Sequence, residues 1–137
     1  MSQPVEAKEN EQYAYFSLRG DFSAVDVTSR AGVTPRKFWQ KGDLHHGGRV
    51  REESWWSLES RLPRGATLED HIKDVLEQLD KNEALFIELT RLHTGCMQLV
   101  GYFRDRYPGL NFEGELVAGL AKYRLSVDFD FYFPDGT

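Results

Sequence analysis

The stretch Leu125-Ser126-Val127-Asp128-Phe129-Asp130-Phe131-Tyr132-Phe133 decides the fold class. Large apolar side chains occupy every second position, and a serine, two aspartates and a tyrosine fill the gaps. Successive side chains point to opposite faces of a strand, so this period of two predicts a strand with one apolar face. The other face is wet and carries two carboxylates and a phenol. A sheet built from such strands is covered on one side only, which points to helices layered on a single face.

The same alternation recurs upstream. In Tyr13 to Arg19, Ala14, Phe16 and Leu18 share one face and Tyr15, Ser17 and Arg19 the other. Within Arg49 to Ser60, Trp56 and Leu58, joined by Ser54, oppose Trp55, Ser57 and Glu59. Cys96 to Phe103 is apolar on both faces and reads as a central strand. Phe38-Trp39-Gln40-Lys41 precedes Gly42, Gly47 and Gly48, so a hairpin across His45-His46-Gly47-Gly48 is expected.

Between the strands the apolar period changes to that of a helix. Ser23 offers an N-cap for Ala24 to Ala31, with Asp26 as capping-box partner; Gly32 ends that helix and Pro35 forbids its continuation. Thr67 caps a second helix, with Asp70 three residues on. Leu68, Ile72, Val75, Leu76 and Leu79 form its apolar stripe, which slips at Leu79 and resumes at Leu85, Leu89 and Leu92. Two consecutive helices follow, Leu68 to Leu79 and Lys81 to His93, with a bend between them. Glu115 to Tyr123 is a fourth, short helix. The expected fold is α+β: a mixed four- to five-stranded sheet with helices on one face. Two strand-helix-strand units are joined by a helical middle, resembling a ferredoxin-like layout with an enlarged connection. Strand order is not legible at this level.

Length and composition set the outer limits. The 137 residues suit one domain, expected over 13–137 behind a polar tail over 1–12. A chain of this size buries roughly two thirds of its unfolded surface, so its core needs no disulfide or metal staple. Cys96 is the single cysteine, which excludes an intrachain disulfide and fits a reducing compartment. With no apolar leader and no run of about 18 apolar residues, the expected location is the cytoplasm, away from membranes. A net charge of −5 argues against non-specific binding to nucleic acid. The charge is uneven: Arg30 to Arg51 holds six bases and one acid, a local +5 against −10 elsewhere. That stretch is expected to pair with acidic helices.

Several motifs in order carry a resemblance. They are Tyr15-Phe16-Ser17-Leu18-Arg19-Gly20, Gly32-Val33-Thr34-Pro35 with Trp39 and Lys41-Gly42, Trp56-Ser57-Leu58-Glu59-Ser60, Leu68-Glu69-Asp70-His71-Ile72 and Asp128-Phe129-Asp130-Phe131-Tyr132. Together they resemble the bacterial domain of unknown function family 4279, over nearly all of the chain after about residue 12. The resemblance implies a small, stand-alone bacterial cytoplasmic domain and is compatible with toxin–immunity gene neighbourhoods. It assigns no catalytic residue.

Candidate chemistry concentrates on the wet sheet face. The binding residues expected there are Arg19, Trp55, Glu59, Tyr102, Asp128, Asp130 and Tyr132, beside Tyr15, Ser17, Ser57 and Gln98. Aromatics among mixed charges on a rigid sheet suit a peptide or a small polar ligand. The plainer reading is that Arg19 neutralises Asp128, Asp130 or Glu59 across strands. Asp128 and Asp130 are too few for a metal cage, and His45, His46, His71 and His93 lack metal-ligand spacing. The histidines are therefore read as solvated, Cys96 as a structural thiol, and no cofactor or metal is expected. Phe38 and Trp39 are expected to tuck under the sheet edge while the bases around them stay wet.

Two functions compete. One is a non-enzymatic module that binds a protein or peptide through the sheet face, in an immunity-type role; a homodimer through that face is a variant of it. The other is a small-molecule binder, or an enzyme, with a pocket between the sheet and the loop from Phe38 to Arg51.

Overall fold

A computed structural model describes residues 9–134. In chain order the elements are β1 (Glu11–Gly20), α1 (Ala24–Ala31), β2 (Lys37–Trp39), β3 (Ser54–Glu59), α2 (Leu68–Asp80), α3 (Glu83–Leu92), β4 (Thr94–Tyr102), α4 (Gly114–Lys122) and β5 (Ser126–Tyr132). They form one five-stranded sheet in the order β2-β3-β1-β4-β5. Every neighbouring pair is antiparallel except β4 and β5, which are parallel. The sheet is mixed and the class is α+β. From β1 to β4 the chain follows the β-α-β-β-α-β connectivity of a ferredoxin-like layout, with α2 and α3 together filling the second crossover. The α4 helix and β5 extend the sheet at one edge.

The alternation in each strand sorts its side chains as expected. Ala14, Phe16 and Leu18 of β1, Trp56 and Leu58 of β3 and Met97 and Leu99 of β4 are buried on the helix-covered face. The stripe of α2 (Leu68, Ile72, Val75 and Leu79) is fully buried against them. At the centre of the core, Phe16 meets Trp56 and Phe86 edge to face or tilted, with centroids 5.6–6.2 Å apart. The indole N–H of Trp56 donates to the Thr28 hydroxyl at 3.0 Å, tying β3 to α1. Ser23 and Thr67 cap α1 and α2 by accepting from the backbone N–H of Asp26 and Asp70. Gly32 takes the left-handed conformation, φ 68°, that closes α1. Gly101 is a glycine for want of space, because a Cβ there would lie 2.3 Å from the Phe103 ring.

Some expectations change. β1 starts at Glu11, two residues before the expected strand, and most of the expected tail, residues 1–8, lies outside the described residues. The hairpin forms, but β2 is three residues long and a loop over 40–53, pinned by a Leu44–Val50 bridge, fills most of the glycine-rich segment. Phe38 does not tuck under the sheet; it is 51% exposed, because β2 is a short edge strand that α1 does not cover. Among the described residues the basic stretch pairs with helical acids only through Arg30, which meets Glu88 of α3 at 2.9 Å and Asp26 of its own helix at 3.8 Å. No helix among the described residues is long and apolar enough to cross a membrane.

Candidate functional site: the open sheet face

Residues paired across strands share a face, so the registers define the open side row by row. Arg19 stands between Trp55 and Thr94, and Trp39 lies beyond Trp55. The next row is Lys37, Ser57, Ser17, Cys96 and Ser126. Below it come Glu59, Tyr15, Gln98 and Asp128, then Tyr13, Val100 and Asp130, then Glu11, Tyr102 and Tyr132. All seven expected binding residues therefore share this face. Their alternation placed them there, and the pairing adds Tyr13, Lys37, Trp39, Cys96 and Ser126.

The row of small side chains is a consequence of register. Ser57, Ser17, Cys96 and Ser126 run across β3, β1, β4 and β5, a distance of about 14 Å at about 4.8 Å per strand. Larger side chains flank the row: Trp55 and Arg19 on one side, Tyr15, Gln98 and Asp128 on the other. The result is a band of small side chains crossing the strands, in which Ser57 and Ser17 are buried beneath their larger neighbours while Cys96 and Ser126 reach the surface.

The charges on this face differ from the simple cross-strand neutralisation that the strand faces allowed. Glu59 is paired, but with Arg36 at 3.6 Å and Arg64 at 3.4 Å, not with Arg19. Those two guanidiniums also cover the rings of Tyr15 at 4.4 Å and Tyr13 at 3.7 Å. Arg19, Asp128 and Asp130 make no ion pair among the described residues. Asp128 and Asp130 are exposed on the outermost strand, out of reach of Arg19 on the central one. Tyr102 and Tyr132 stack at 5.1 Å. The Asp130 carboxylate accepts from the Tyr132 hydroxyl and pushes that phenol up to about 12. Burial raises the Tyr15 phenol, opposed by the charge of Arg36.

Cys96 lies half-buried in this band. Burial, reinforced by the charge of Asp128, pushes its thiol up, so it stays protonated and weakly nucleophilic at neutral pH.

Beyond Arg19 and Trp55 lies a cleft of about 410 Å³ between the sheet and the 40–53 loop. Trp39 and Trp55 stack in its wall at 5.3 Å and 14°. Arg51 lies 3.7 Å over the Trp39 ring, and Trp39 donates to the Glu53 carbonyl. Arg19, His45, Arg49, Val50, Glu52, Glu53 and Ser54 complete the lining. This cleft lies beside the Phe38 to Arg51 loop. The Trp55 indole N–H is buried without a hydrogen-bond partner among the described residues.

The histidines correct the expectation of four solvated side chains. His45 and His46 are exposed, but His71 is fully buried and hydrogen-bonded to Ser60, and His93 packs on Phe22 at 5.1 Å. His71 follows the α2 stripe at helical spacing from Leu68 and Val75, a signal that was open to reading. Among the described residues no group of three or more His, Cys, Asp or Glu side chains is placed to hold a metal ion.

A five-stranded sheet with helices on one side and an uncovered other side defines an open-faced α+β protein. The chain belongs to the family described as Domain of unknown function (DUF4279), whose model matches residues 10–134. No curated protein and no solved structure matches it.

Proposed function

We propose that this domain is a non-enzymatic binding module that holds an extended protein or peptide segment on its open sheet face, in a bacterial cytoplasm and in an immunity-type role. The observation that carries the reading is the uncovered face itself, where exposed Arg19, Asp128 and Asp130 stand among the rings of Trp55, Tyr15, Tyr102 and Tyr132. The ring faces supply apolar contact at low entropic cost, and Cys96 and Ser126 leave room between them toward the β5 end. Asp128 and Asp130, exposed and without a cationic partner, favour a basic residue in the segment at the β5 end. The raised thiol of Cys96 fits a surface that binds rather than attacks.

A peptide library displayed on phage and selected on this protein tests the reading. Enriched peptides are expected to carry a basic residue and to lose at least tenfold in affinity for Asp128→Ala/Tyr132→Ala, measured by calorimetry. Enriched peptides whose affinity ignores that double variant, or whose NMR shifts map to the helical side, would sink it. The cleft favours a second reading, a small-molecule site beside the loop. It would gain if peptides fail and a metabolite library shifts the Trp39 and Trp55 indole signals.

A further inference from the structure

We infer that the cleft under the 40–53 loop is a carboxylate site that receives the acidic end of the segment held on the open face. Its lining places three guanidiniums, of Arg19, Arg49 and Arg51, beside the carboxylates of Glu52 and Glu53. The sum is one positive charge, which matches a carboxylate and falls short of a dianionic phosphate. Arg19 and Arg49 make no ion pair among the described residues, so their forks are free to accept a bidentate carboxylate. Glu52 and Glu53 make none either, so the cleft is not a closed internal ion-pair network.

The stacked Trp39 and Trp55 rings give the cleft an apolar wall for the body that carries the charge. Arg19 lines the cleft and also stands on the open face, so cleft and face meet at one side chain. The acidic carboxylates of β5 lie toward the opposite edge of the sheet. A bound segment therefore has a direction: acidic group at the loop end, basic group at the β5 end.

This inference rests on the peptide reading of the open face, but the test below uses a short probe that does not need the rest of that face. The probe is the tripeptide Ala-Ala-Phe, acetylated at its N-terminus, with a free or an amidated C-terminus, and phenyl phosphate is the competing anion. Titrations are followed through the three tryptophan indole cross-peaks of the nitrogen-15 labelled protein. The free acid is expected to move the Trp39 and Trp55 signals and leave buried Trp56 in place. The amide is expected to bind at least tenfold more weakly, as is the free acid to Arg19→Gln or Arg49→Gln, with unchanged circular dichroism spectra in both variants. Equal binding of acid and amide, no effect of either variant, or binding of phenyl phosphate with the acid silent would each overturn the carboxylate assignment. A failure here, with library peptides still dependent on Asp128 and Tyr132, removes the cleft and leaves the face reading standing.

Discussion

Replacing Trp56 with alanine is expected to cost about 3–5 kcal/mol, the largest single effect of any substitution discussed here. Trp56 is fully buried between Phe16 and Phe86, so the change empties the centre of the core. It also removes the donor that Thr28 accepts from α1. Domains of this size hold about 5–15 kcal/mol in all, so the variant sits near the edge of folding at body temperature. Thermal unfolding should drop by roughly 10–15 °C. Trp56→Phe keeps most of the packing and loses only the hydrogen bond and some volume, and should cost about 1–2 kcal/mol. Similar midpoints for the two variants would mean that the cavity is not what matters.

The second large effect lies where β3 gives way to α2. Asp74 is almost buried and accepts from the Arg61 backbone N–H at 2.8 Å, the Arg61 guanidinium at 2.8 Å and the Gln78 amide at 3.0 Å. Burial alone would raise its carboxyl, but these hydrogen bonds and the Arg61 charge hold it below the usual carboxylate range. Asp74→Ala strands the Arg61 N–H and is expected to cost about 2–4 kcal/mol at neutral pH. A depressed folded pKa stabilises above the unfolded value, near 3.9, and that contribution is lost as pH falls through the folded value. Next to it, burial and the Arg64 charge lower His71, so the folded state refuses a proton that the unfolded chain accepts below about 6.5. Stability should therefore decline in two windows on acidification. The one beginning near 6.5 should flatten in His71→Gln, and the more acidic one should shrink in Asp74→Ala, with Asp80, despite burial held down by Lys122 and Tyr123, supplying part of what remains. Urea midpoints measured between pH 7 and pH 2 check both, and parallel curves for wild type and His71→Gln would overturn the assignment to His71.

The sequence patterns speak to the fold and the site unequally. The faces of β1, β3 and β5 follow from alternation alone, because one-sided burial selects a single phase of a two-residue period. The α2 stripe and its caps at Ser23 and Thr67 are legible for the same local reason. The band of small side chains is not, since Ser57, Ser17, Cys96 and Ser126 come from four strands and meet only through register. Nor is the pairing of Glu59, which depends on Arg36 and Arg64 reaching in from outside the strands. Lys37-Phe38-Trp39 is too short to announce a strand, and so Trp39, expected to tuck under the sheet edge, instead stacks on Trp55 on the open face and walls the cleft. His71 was misread because its polarity outweighed its position in the apolar stripe, and only Ser60, eleven residues earlier, shows how it is satisfied.

The position of β5 has a consequence for colloidal behaviour. It is the last strand of the sheet, with backbone groups open along one side and Phe129 51% exposed. An open apolar edge is a template for accretion of further chains. Antiparallel self-pairing that sets Phe129 against its own copy would put each Asp128 opposite an Asp130, and like charges in that position repel. The two carboxylates thus disfavour that pairing while leaving the face beside them uncovered.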